Sequence, residues 1–253
     1  VTAFDQGDAR RKPAMYIEAN IQGNEVQGGE VVAYTAWYLC HQYGQLEKVT
    51  QLLNRCVFYL VPTINPDARD HFFNTKGNAS WPRSGLKPHD DDLDGVADED
   101  DYDDLDGDGN ICQMRIRDPH GRWKLHPDHP DLLMIPCKEN ETGEFTLLGQ
   151  EGIDNDGDGR VNEDPVGGYD MNRDWGWDWQ PRYIQSGAMN YPFNLPETRA
   201  VAEFILDHPN IAAVQSYHNA MGAILRSPGR DGGNMLGPDD AILQQIGARG
   251  EQI

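Results

Sequence analysis

Between residues 90 and 108 the chain carries 12 acidic side chains and no basic one. Residues 154 to 164 carry five more, with Arg160 the lone base among them. Like charges this dense repel, so neither tract can fold back on itself without a counter-charge. The tracts hold most of a net charge of -21; outside them 25 acids face 20 bases. The body of the chain is therefore nearly neutral, and its 38% hydrophobic share is enough to bury a core. A single domain over residues 1–253 is expected, interrupted by an acidic insert at 85–165. No apolar run approaches the ~18 residues of a membrane span. No charged-then-apolar leader is visible at the start. The acidity argues against nucleic acid as a partner, because phosphates select basic surfaces.

The spacing within the tracts is regular. Asp90, Asp92, Asp94 and Gly95 stand at positions 1, 3, 5 and 6 of a loop, with Asp98 at position 9 and Asp101 at position 12. Asp104, Asp106, Asp108 and Gly109 repeat that opening. Asp154, Asp156, Asp158 and Gly159 repeat it again, with Asn162 at position 9. Alternate side chains of such a loop converge on one hard cation, and glycine permits the sharp turn. Calcium is the expected ion, since magnesium takes fewer carboxylates and more water. The second loop has Arg115 at position 12, and the third has Pro165. A solvated acidic linker is the competing reading. Against it, Ile111, Met114, Ile116, Trp123 and Val161 need something to pack on.

Elsewhere the pattern is of strands alternating with helices. Residues 14–21, 57–64 and 211–218 read as central strands, from their apolar runs. Residues 222–226 read as a further strand. Helices are expected at about 29–43, with Val31, Val32, Thr35, Ala36, Leu39 and Cys40 on one face, at about 46–54, and from Pro196. Asp239 is placed to cap a last helix. From Asn74 to Tyr191 the chain reads as mostly loop. The fold class is α/β: a mixed, mostly parallel central sheet flanked by helices, with long loop-rich calcium-binding inserts. Of four cysteines, Cys112 and Cys137 flank an irregular stretch and could pair; Cys40 and Cys56 read as buried free thiols.

Four separated pieces remain: Gln22-Gly23-Asn24-Glu25, Trp81-Pro82-Arg83, Asp170-Met171-Asn172-Arg173 and Ser216-Tyr217-His218-Asn219. With Asn65-Pro66-Asp67, their order and spacing resemble the zinc carboxypeptidases, which remove C-terminal residues from peptides. The resemblance covers nearly all of the chain outside the acidic inserts. It implies that Glu25 and His218 are zinc ligands and that Arg83 polarises the scissile carbonyl. It also implies that Asn172 and Arg173 clamp the substrate's terminal carboxylate, which suits a guanidinium fork. The implied partners are peptide or protein C-termini, and the implied setting is extracytoplasmic.

Position 22 departs from the family, which has histidine there. Gln22 is expected to weaken zinc, because an amide oxygen is a poor substitute for imidazole. The family's general-base glutamate stands well beyond the second histidine, whereas this chain ends 35 residues after His218. The expectation is a carboxypeptidase domain incomplete at both ends and impaired in zinc-dependent hydrolysis. The alternative is a non-catalytic, calcium-stabilised binding or structural protein on the same fold.

Overall fold

The computed structural model describes residues 1–75, 83–219, 221–227 and 237–252. It divides into two compact units, Val1–Tyr217 and His218–Ile253.

The first unit is built on three parallel strands: β1 (Ala14–Ala19), β2 (Val57–Val61) and, late in the chain, a strand at Ile211–Tyr217. The order places β1 in the centre, with Ala14 in register with both Val57 and Ile211. Both faces of β1 are consequently covered. Ile17 and Ala19 point to one side and pack on Val32 of helix α1 (Gln27–Gln42). Tyr16 points to the other and joins Ile21, Ile64, Tyr169, Met171, Met189, Leu195 and Val201. A helix at Pro196–Asp207 supplies Val201 and Phe204 to that side, with the Tyr16 and Phe204 rings 6.0 Å apart. The expected α/β layering is what the structure has.

Helix α2 (Glu47–Arg55) packs Val49 and Leu53 against Leu39. Asn65-Pro66-Asp67, expected to end a strand, also starts helix α3 (Pro66–Asn74). Proline opens the first turn, and the Asn65 side chain caps it by accepting the Ala68 N–H at 3.1 Å.

The insert is mostly loop, as expected, but it is organised around regular strands. It holds an antiparallel sheet of β3 (Gln113–Arg117), β4 (Trp123–Leu125), β5 (Met134–Pro136) and β6 (Phe145–Gln150), in the order β3-β6-β4-β5. Phe145 is its buried anchor, and Arg115 lies over that ring at 4.8 Å. Ile116 and Val161 remain exposed, so not every apolar residue in this region found packing. With the insert's strands in place, Pro196–Asp207 is α4 and Ile211–Tyr217 is β7.

All four cysteines are free thiols, so Cys112 and Cys137, which could have paired, do not. The Cys137 sulfur faces Gly143, while Cys112 sits beside the acidic loops with its N–H on Glu151. Cys40 is exposed rather than buried, because it lies about 100° round the helix from Leu39.

The segment after the insert is fastened by a buried acid. Asp174 is fully enclosed and accepts the N–H groups of Asn194 (3.0 Å) and Leu195 (2.9 Å) and the Thr198 hydroxyl at the start of α4. Asp174→Ala would leave the two N–H groups unpaired, while the Thr198 hydroxyl keeps the Leu195 carbonyl at 3.1 Å. The substitution should cost about 3 kcal/mol, read as a lower urea midpoint at unchanged slope.

In the second unit, helix α5 runs over Gly237–Gly250, with Asp239 inside its first turn rather than at its cap. Arg226 pairs with Asp240 of that helix. Residues 222–226, expected as a strand, are irregular; among the described residues no strand pairs with them.

Candidate functional site

The turn that leaves β1 is shaped by buried amides. Asn20, at a left-handed φ of 59°, donates from Nδ2 to the carbonyls of Gln22 (2.8 Å) and Gly23 (3.1 Å). Gly23 lies flat against α3, where a Cβ would meet that of Ala68 at 2.4 Å. Asn65 then ties two segments together, donating to the carbonyls of Ile21 and Ser84 at 3.0 Å each. These bonds fix Gln22 and Glu25, both buried, beside the segment that carries Arg83. Gly23→Ala should push the turn off α3 and lower the melting temperature by several degrees, since the obstructing atoms include backbone.

Asp170 is the hub of the site. Gln22 donates from Nε2 to its two oxygens at 3.1 and 3.3 Å. Arg83 donates to Oδ2 from Nε (3.3 Å) and Nη2 (3.2 Å). The Asn172 N–H reaches Oδ1 at 2.8 Å, and Arg173 Nη1 stands 4.0 Å from Oδ2. Arg83 Nη1 also lies 3.7 Å from Glu25 Oε1. Gln22, Glu25, Arg83, Asn172 and Arg173, separated by up to 151 positions, thus meet around one carboxylate. Asp170 opened one of the recognised pieces without being given a role. Its place as the acid that caps the short 3-10 helix Met171–Arg173 was the available signal.

Trp175 is a second group that sequence reasoning missed. Its indole N–H bonds Asn172 Oδ1 at 3.0 Å. Indole nitrogen only donates, so the asparagine oxygen must face it and the NH2 donors must face away. Arg173 is two-fifths exposed. The pair can therefore offer an amide N–H and a guanidinium to an anion. Trp81 and Pro82 lie outside the described residues. His218 is the first residue of the second unit, directly after Tyr217, whose register partner is Ala19 at the end of β1.

Within the first unit the zinc donors implied by the resemblance are Gln22 and Glu25. They do not fit zinc as they stand. The Gln22 amide nitrogen is bound to Asp170, and its oxygen is not the nitrogen or thiolate donor that zinc favours. Glu25 has a guanidinium beside it.

The three acidic loops share one internal geometry. Asp90, Asp104 and Asp154 each accept the N–H of the glycine five residues on, at 3.0 Å. Gly95, Gly109 and Gly159 have φ of 104°, 88° and 97°, which glycine alone adopts without strain. Side-chain oxygens converge within 4.8 Å in the sets Asp90/Asp92/Asp94, Asp104/Asp106/Asp108 and Asp92/Asp156/Asp158/Glu163; Glu99 joins Asp94 and Asp156, and also Asp92 and Asp164.

Asp98, Asp101 and Asn162, expected as later ligands, also bond within the protein, and Asn162 Oδ1 is buried without a hydrogen-bond partner. Asp98 accepts the N–H groups of His89 and Gly167, Asp101 accepts that of Tyr102, and Asn162 donates to the Gln150 carbonyl. Asp154 likewise is absent from the converging sets and holds Gly157 and Gly159. Glu99 and Glu163 also come in, each nine residues after the first Asp of its loop.

The first and third loops brace each other reciprocally. Asp164 accepts the N–H groups of Asp91 (2.8 Å) and Asp98 (2.9 Å). Asp100 accepts those of Asn155 (3.0 Å) and Asn162 (2.6 Å), and Asp100 and Asp164 form an antiparallel bridge. Loss of solvent, then the neighbouring Asp164, pushes Glu99 up to about 7; loss of solvent, then Asp100, does the same to Glu163. Neither oxygen of Glu99, nor Oε2 of Glu163, is reached by solvent or by a hydrogen-bond donor.

Comparison with known proteins bears on the first site. The zinc carboxypeptidase family profile matches residues 1–122 and 139–252. Mouse carboxypeptidase Z is 43% identical over 58 residues, which is 22% of this chain and 9% of that protein. Fruit-fly carboxypeptidase D is 42% identical over 55 residues, 22% of this chain and 4% of that protein. Human carboxypeptidase D is 37% identical over 59 residues, 23% and 4% respectively. The matched segments thus span less than a tenth of the length of these relatives.

Proposed function

Because the chain belongs to the zinc carboxypeptidase family, whose profile covers all but a short piece of it, we propose that the site around Asp170 receives peptide C-termini and that zinc-dependent hydrolysis there is impaired by Gln22. The family implies zinc and a C-terminal peptide bond as its target. The orientation of Asn172 carries the recognition half of this reading. Trp175 holds its oxygen, so its N–H donors are set beside the Arg173 guanidinium, and the two together suit a carboxylate. By the resemblance, Arg83 would polarise the adjacent carbonyl. Glu25 and His218 are the zinc-ligand positions by resemblance, with Gln22 the weak member. Two protein ligands and an amide make a poorer set than the three N, O or S ligands of working zinc enzymes.

The test compares a peptide bearing a free C-terminus with its C-terminal amide, by calorimetry. Charge-assisted bonds to the carboxylate are worth about 1.5–3 kcal/mol, so Arg173→Ala should weaken the acid by about 10- to 100-fold. The amide should bind poorly to both proteins. Equal binding of acid and amide by the unmodified chain would overturn the reading.

The acidic loops are proposed to bind calcium and so to order the insert. The uncompensated, desolvated oxygens of Glu99 and Glu163 support a hard cation between the first and third loops. A calcium requirement fits an extracytoplasmic setting, where free calcium is high enough for modest sites.

A further inference from the structure

The site has two carboxylates, Glu25 and Asp170, and one guanidinium that serves both. Arg83 turns Nε and Nη2 to Asp170 and Nη1 to Glu25. The carboxylates are deeply set, with side chains 4% and 13% exposed. Arg173 adds a second positive charge 4.0 Å from Asp170. Among the described residues, two negative groups here stand beside two positive ones. A divalent cation at Glu25 would stand beside a guanidinium already within 4 Å, in a place where solvent screens little. It would have to displace that guanidinium or bear its repulsion.

We propose that Arg83 is the resident counter-ion of this site and competes with divalent metal for Glu25, so that the arginine gates metal binding. The inference rests on Glu25 being a metal-ligand position. It goes beyond the effect of Gln22: histidine at position 22 would add a donor but leave the arginine in place. It also predicts an unusual direction. Loss of a merely structural arginine would loosen the site and weaken metal. Loss of a competing cation takes a positive charge from beside Glu25 and strengthens metal binding.

The experiment is zinc titration by calorimetry on the whole chain, with excess calcium to fill the acidic loops. Arg83→Gln should bind zinc at least ~10-fold more tightly than the unmodified chain. Arg83→Gln combined with Glu25→Gln should lose that gain, and Arg83→Lys, which keeps the charge, should stay near the unmodified value. If Arg83→Gln does not fold, Arg83→Gln with Asp170→Asn removes one charge of each sign and should show the same rise. Zinc binding by the glutamine variant no tighter than by the unmodified chain, or an equal rise in Arg83→Lys, would overturn the proposal. Peptide binding is measured separately and without zinc, so failure of the carboxylate clamp would leave this result standing, and the reverse.

Discussion

Chelation of calcium should lower the melting temperature by roughly 10–20 °C and open the region between Asp90 and Asp164 to protease. The size follows from mass action. An ion present at a hundred times its dissociation constant stabilises by about 2.7 kcal/mol, and two such ions by about twice that. For a chain of this length each kcal/mol moves the midpoint by about 2–4 °C. The first and third loops should respond together. Asp100 and Asp164 each hold two backbone N–H groups of the opposite loop, and Asp92 belongs to converging sets with members of both. Asp164→Ala should therefore weaken calcium at the first loop as well as its own. Its amide partners, Asp91 and Asp98, both lie in that first loop. The readouts are a thermal scan with and without chelator and the sites of limited proteolysis. An unchanged midpoint and an intact insert after chelation would contradict the assignment.

The second large effect concerns position 22. Gln22→His should raise zinc affinity by at least ~100-fold, because changes beyond the ligand shell already cost about 10–100-fold and this one is a ligand. The surroundings suit the change. Gln22 is buried, and Asp170 already accepts from its amide nitrogen. An imidazole there could give its N–H to Asp170 and turn its other nitrogen outward as a donor to metal. Calorimetric titration in excess calcium checks it. No gain in the histidine variant would mean that the amide oxygen of Gln22 is already an adequate ligand.

The parallel sheet was legible because β1, β2 and β7 each carry an apolar stretch, as in Val57-Phe58-Tyr59-Leu60-Val61, although only β1 is largely buried and β7 is half-buried or exposed. The insert's sheet was not. Its strands are three to six residues long, mostly too short to show a period, and only Gln113-Met114-Arg115-Ile116-Arg117 alternates charged with apolar side chains. The site was legible where chemistry is local to a phrase, as with Glu25, Arg83, Asn172 and Arg173. Asp170 left a local signal as the cap of Met171–Arg173, but its bonds to Gln22 and Arg83 exist only in the fold, and the bond from Trp175 to Asn172, three residues away, has no sequence signature of its own. Glu99 and Glu163 were within reach of the sequence. They recur at the 64-residue offset that also relates Asp90 to Asp154 and Asp100 to Asp164. A fixed loop template, whose ninth position falls on Asp98 and Asn162, passes over Glu99 and Glu163.

The central claim is that a zinc carboxypeptidase fold here holds calcium firmly and zinc poorly. Metal content measured on the unmodified chain, after dialysis against trace zinc and calcium together, tests it most directly when paired with a peptide hydrolysis assay on the same sample. Calcium should be retained, zinc should fall far below one equivalent, and C-terminal residues should be released slowly or not at all. Stoichiometric zinc that survives dialysis, with rapid release of C-terminal residues, would contradict the account.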